Sequence, residues 1–153
     1  MNLAELLDIP ASVVPDQEIF RFEGRATTYV ALLAAVQRGA GALRALGVRR
    51  SDRVAIVDTN SVALVEAIYA IASIGAVCVP LNFRARQEEW AHMLAVATPR
   101  VLLVGDRYID VARSLSAAQA AGPLVVGLGE GDGSVPTFRG LAERSEPEGI
   151  AEV

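Results

Sequence analysis

The stretch RVAIVDTNSVALVEAIYAIASIGAVCVP, residues 53–80, decides the fold. Residues 54–57 are a short, unbroken apolar run, which reads as a strand covered on both faces. Asn60 or Ser61 can cap a helix that runs to about Ile74. That helix carries a single charge, Glu66, so most of its sides must be covered. Gly75 ends it, and residues 76–79 form a second apolar strand, with Pro80 where no ladder donor is needed. The uncharged run 67–83 is nearly of membrane-spanning length. Ser73, Gly75, Pro80 and Asn82 interrupt it, and the change of period at Gly75 splits it into helix and strand, so no membrane span is expected.

Downstream the alternation continues. Residues 87–97 form a more polar helix closed by Pro99. Strands at 101–104 and 124–127 flank a helix at about 107–121. Strand, helix, strand, helix, strand, helix, strand predicts an α/β fold: a parallel β-sheet with helices on both faces, βαβαβαβ, joined by right-handed crossovers. Upstream, EIFRFEGRATTY reads as a hairpin about the Glu23-Gly24 turn. Thr28 then caps a helix whose stripe is Tyr29, Leu32, Leu33, Val36, Ala40 and Leu43; Gln37, Gly41 and Arg44 lie away from it, and Gly47 stops it. After Gly127 the pattern fades into a loop, a short helix at 137–144, and a tail without period. A length of 153 residues suits one domain. It divides into an amino-terminal segment with hairpin (1–29), an α/β core (30–127), and a loop with tail (128–153).

All 14 basic residues are arginine, so any chemistry that needs a lysine ammonium from this chain is excluded. The formal net charge of −4, without a basic stripe, argues against nucleic acid. The start, MNLAELLDIP, has no positive region and does not read as a signal peptide. Cys78 is the sole cysteine, which rules out an internal disulfide and fits a reducing, cytoplasmic setting. In the second strand it should be buried, protonated and inert.

Gly127, Gly129, Gly131 and Gly133 resemble a phosphate loop, but the dinucleotide fingerprint needs G-x-G-x-x-G between strand and helix, and Asp132 stands at its last glycine. Glu130 and Asp132 would repel a phosphate, so this is a surface loop. Glu88 and His92 share a helix face, yet one histidine and one carboxylate are half a metal site; no metal is expected, and His92 reads as a half-exposed structural residue. Arg84 and Arg86, in PLNFRAR, follow the second strand, where sites of parallel sheets lie and where guanidiniums can receive a phosphate. Solvated surface arginines are the plainer reading. Asn60 is better explained as a cap than as a ligand. No catalytic residue is evident.

Residues 28–94 carry more. Thr28, Tyr29 and Leu32 match a T-Y-x-x-L opening, residues 47–56 (GVRRSDRVAI) a G-V-x-x-G-D-R-V-A-I turn with Ser51 in place of glycine, Asn60-Ser61 a helix start, and residues 75–82 (GAVCVPLN) a G-A-V-x-V-P-L-N strand. In order and spacing the chain resembles the amino-terminal subdomain of the adenylate-forming (AMP-binding) superfamily of acyl-CoA synthetases, luciferases and peptide-synthetase adenylation domains. The resemblance implies a ligase of fatty-acid-type metabolism in which a carboxylate attacks ATP to give an acyl-adenylate and CoA takes the acyl group. ATP, Mg and CoA belong to the complete enzyme, and this chain by itself should hold no cofactor. The family's phosphate loop and its lysines are absent here, so the resemblance implies inactivity alone. It also implies Arg84 as a contact to the nucleotide phosphate of CoA. The implied partner is the remainder of the ligase; self-association through exposed apolar surface, as a standalone interaction module, is the alternative. A flavodoxin-like cofactor domain ranks last, because residues 57–61 (VDTNS) are acidic and lack glycine.

Overall fold

The computed structural model describes residues 3–151. Helix α1 (Glu5–Val13) precedes an antiparallel hairpin of β1 (Glu18–Phe22) and β2 (Arg25–Thr28). Glu23 and Gly24 turn it with φ of 47° and 80°, the left-handed pair of a tight hairpin loop. Helix α2 (Tyr29–Ala45) follows at once, its first turn capped by Thr28 Oγ1, which accepts from the Ala31 N–H at 3.3 Å. Then come β3 (Arg53–Val57), α3 (Val62–Ser73), β4 (Val77–Pro80), α4 (Gln87–Ala97), β5 (Val101–Val104), a 3-10 turn (Asp106–Tyr108), α5 (Ile109–Ala117), β6 (Leu124–Gly127) and α6 (Phe138–Arg144).

The four strands β3–β6 form one parallel sheet in the order β4-β3-β5-β6. Alternate residues build a core on each face. Val54, Ile56, Val101, Leu103 and Val126 pack under α2, α3 and α6. Ala55, Val57, Leu102, Val104 and Val125 pack under α4 and α5. The step from β3 to β4 runs one way on the first face; the steps to β5 and β6 run the other way on the second. All three crossovers therefore share one hand, as the rule for right-handed βαβ units requires.

The structure corrects several expectations. Residues 5–13 are helical although Pro10 lies inside the helix and Ala4 offers no side-chain cap. Burial of Leu7 against Leu32 and Val36 of α2 outweighs those weak local signals. α2 is buried on a second side: Gly39 and Gly41 are covered, because Phe138 of α6 meets Gly39 and the Glu146 carbonyl lies where a Cβ on Gly41 would be. Among the described residues, β4 is the poorly covered strand, with Val77 48% exposed; burial on both faces holds along β3, β5 and β6 apart from the exposed first residues Arg53 and Leu124. Cys78 is half-buried rather than buried. The helix expected from 107 begins with the 3-10 turn.

The tail has no helix or strand, yet it is tied down. The Glu148 N–H donates to the Gln37 carbonyl at 2.9 Å, the Ala151 N–H to the Ser73 carbonyl at 2.7 Å, and Glu148 pairs with Arg44 at 3.6 Å. Arg44 also donates to the carbonyls of Val48 and Ile74, each at 3.3 Å, which locks the ends of α2 and α3 together.

Candidate functional site

Parallel strands all end on one edge of the sheet, and open α/β folds bind ligands beyond it. Here that edge carries Asp58 after β3, the loop 82–86 after β4, Asp106 after β5 and the glycine loop after β6.

The loop after β4 is braced from within. The Asn82 side-chain oxygen accepts from the Arg84 N–H at 2.9 Å, and its carbonyl accepts from the indole N–H of Trp90 at 2.8 Å. Trp90 in turn meets Tyr108 edge to face, with centroids 5.4 Å apart. Glu89 receives the Arg86 N–H at 2.7 Å and closes the first turn of α4. The bracing turns Phe83 and Arg84 outward; Phe83 is 40% exposed, and the Arg84 guanidinium lies 5.3 Å from its ring. Arg84 and Arg86 make no ion pair among the described residues. Arg84 is thus a rigidly based, uncommitted cation, able to meet an anion.

After β3, Asp58 accepts from the Thr59 N–H at 2.8 Å and from the Ser61 hydroxyl at 3.1 Å, while Ser61 Oγ accepts from the Leu64 N–H at 3.1 Å. Ser61, not Asn60, caps α3; Asn60 points to solvent. Gly105 has no side chain because the Asp58 carboxylate fills that space. The glycine loop does hold an anion, but the anion is the chain's own: Asp106 accepts from the Gly131 N–H at 3.2 Å and sits where a Cβ on Gly129 would be. Its donor is taken, and Glu130 and Asp132 lie beside it. The residues present do not fit the phosphates of ATP.

Flanking this edge, a cleft of about 550 Å³ opens between the hairpin, α2, α3 and α6. Glu66 lines it, and burial pushes its carboxyl above the ordinary value of 4.5 against the pull of Arg139 and Arg38. Sequence reasoning noted Glu66 only as a lone charge; its setting depends on α6, far along the chain. His92 is exposed rather than half-exposed, and Glu88 is exposed beside it. No group of three or more histidine, cysteine or acidic residues that could hold a metal occurs among the described residues. No helix among them is long and apolar enough to cross a membrane.

The ligand edge of the parallel sheet thus carries Arg84 and Arg86 without ion pairs among the described residues, and a glycine loop filled by its own aspartate. Residues 7–148 match the family model of the AMP-binding enzymes, and the chain belongs to that family. It is 36% identical over 109 residues to an indoleacetate–CoA ligase of Aromatoleum aromaticum, covering 71% of this chain and 21% of that protein. It is 40% identical over 109 residues to a feruloyl-CoA synthase of an Amycolatopsis species, covering 71% of this chain and 22% of the relative. A protein of Rhodopseudomonas palustris described as a long-chain-fatty-acid CoA ligase superposes with a TM-score of 0.91 at 31% identity, over 100% of this chain and 39% of that one. The chain therefore spans about a fifth of the length of these curated relatives.

Proposed function

We propose that the chain is the amino-terminal part of an ATP-dependent acid–thiol ligase, which joins a carboxylate to AMP and passes the acyl group to CoA. The family match over residues 7–148 carries this reading. The residues here supply scaffold and one anion contact, Arg84, placed for the nucleotide phosphate of CoA. They supply no donor set for ATP: the chain has no lysine, and the glycine loop is closed by Asp106. Preorganised positive charge is what phosphoryl and acyl transfer demand, so the chain alone is inactive and ATP, Mg and CoA are used by the longer enzyme. Aryl acids are the first class to try, because the named relatives act on indoleacetate and ferulate. The lone half-buried thiol fits a cytoplasmic place.

The test is pyrophosphate release with ATP, Mg and a panel led by indoleacetate, ferulate and fatty acids. A full-length chain beginning with these residues should turn over, and the 153-residue chain should not. Turnover by the short chain would overturn its inactivity. In the full-length enzyme, Arg84→Ala should raise KM for CoA about tenfold, the loss of one charge-assisted contact, and leave pyrophosphate release unchanged.

A further inference from the structure

We propose that the chain carries a separate anion site at the end of the sheet where the parallel strands begin, and that it takes a small phosphate-bearing molecule. This end lies opposite Arg84 and the ligand edge, so the site stands apart from the ligase reading.

Arginine gathers at this end. Arg44 stands in the last turn of α2, Arg49 and Arg50 follow that helix, Arg53 opens β3, and Arg100 immediately precedes β5. A hollow of about 340 Å3 is lined by Arg44, Gly47, Val48 and Arg49. Arg100 closes a further side of it: one guanidinium nitrogen lies 2.7 Å from the place a Cβ on Gly47 would take. Gly47 thus supplies both the turn, at φ 79°, and the room for that guanidinium. The side chains are held rather than splayed. Arg44 donates to the carbonyls of Val48 and Ile74, each at 3.3 Å, and pairs with Glu148 at 3.6 Å. That leaves two of the five N–H donors of its guanidinium. Arg53 donates to the Thr98 hydroxyl at 3.0 Å, and Arg50 lays its aliphatic stem across Gly75.

Like charges gathered in this way repel. Arg53 and Arg100 are neighbours across β3 and β5, the Arg100 N–H donating to the Arg53 carbonyl at 2.8 Å, and like charges so placed are destabilising. Two carboxylates touch the group, and both are committed: Asp52 accepts the Arg49 backbone N–H at 2.8 Å, and Glu148 is paired with Arg44. Arg49, Arg53 and Arg100 make no ion pair among the described residues. The end of α2 does not compete for them, because the carbonyls of Ala42, Leu43 and Arg44 already accept the N–H groups of Leu46, Val48 and Gly47. Three guanidiniums around one hollow call for more than one negative charge. A phosphate supplies it, with oxygens that match the forked donors; a carboxylate carries a single charge. The volume lies at the small end of ligand sites, with room for a phosphomonoester or a diphosphate. A nucleic acid needs a longer basic track, and the chain as a whole, at −4, repels it.

The test titrates the 153-residue chain with inorganic phosphate and with diphosphate at constant ionic strength, and follows the backbone amides by NMR. Saturable shifts should appear at Gly47, Val48, Arg49 and Arg100, with half-saturation below about 1 mM. Arg49→Gln and Arg100→Gln change exposed side chains, and each should weaken binding about tenfold, the loss of one charge-assisted contact. Arg25→Gln removes the same charge from the exposed hairpin and should leave binding as it is. No saturation at concentrations about tenfold higher, or an equal loss in all three variants, overturns the site, because the anion then answers only to net charge. A last arm replaces soluble phosphate by vesicles of phosphatidylcholine with phosphatidylglycerol. Sedimentation with the vesicles in the absence of saturable binding of soluble phosphate overturns the small-molecule site in favour of a lipid surface.

Discussion

Cys78 and Glu66 are both half-buried on the α3 side of the molecule, and burial moves both upward. The Cys78 thiol packs against the α3-side core and is pushed up to about 11. The thiolate is the nucleophile, so alkylation by iodoacetamide should be slow near neutral pH and keep rising until about pH 11. A plateau at the ordinary thiol value of 9.0 would show that the site is wetter than its packing indicates. Glu66 has a titration with consequences for stability. With its carboxyl raised above 4.5, the folded chain holds a proton that the unfolded chain has lost. Stability then falls as pH rises through that window. Glu66→Gln should accordingly be the more stable protein at neutral pH, with the difference fading below pH 4.5, as read by thermal unfolding across pH. A less stable variant at neutral pH would mean that Arg38 and Arg139 outweigh the burial.

Among the elements, α2 shows best what two glycines inside a helix are for. Alanine is favoured over glycine in a helix by about 1 kcal/mol, so their presence needs a cause. At Gly41 the cause is the Glu146 carbonyl, a backbone atom that cannot swing aside. Gly41→Ala should therefore lose about 1–3 kcal/mol through overpacking, more than the propensity returns. It should also unprotect the Glu148 amide that bonds Gln37. Urea unfolding and amide exchange read the two effects. Gly39 faces the end of the Phe138 ring, which can yield, so Gly39→Ala should cost less.

These contacts also mark where sequence reading stops. The strands were legible because unbroken apolar runs such as 101–104 have few other uses. The stop signals at Gly47 and Gly75 were legible because they adopt φ of 79° and 70°. The second buried side of α2 was not, since it is made by α6 and the tail, more than ninety residues away in sequence. Nor was α1, whose local signals are a proline and a weak stripe. At the ligand edge, Arg84 and Arg86 were noted for their place after a strand, and only the resemblance singled out Arg84. The filling of the glycine loop by Asp106 could have been suspected only from the acidic residues already noted around it.

At the scale of the whole molecule, the apolar surface is unevenly distributed. Ile9 and Val13 of α1 are 72% and 71% exposed, and Leu6 beside them is 53% exposed. Among the described residues, these side chains belong to none of the core clusters. Ile9→Gln with Val13→Lys should change unfolding free energy by no more than about 0.5 kcal/mol, measured in urea. A loss several times larger would show that this face is covered in solution.

Trp90 is the sole tryptophan of the chain, only 4% exposed, and its indole N–H is spent on the backbone of the loop that presents Arg84. The fold has thereby wired one intrinsic fluorophore to its ligand edge. Any event that lifts residues 82–84 must release that hydrogen bond and shift the emission, so the loop can be followed optically without a label.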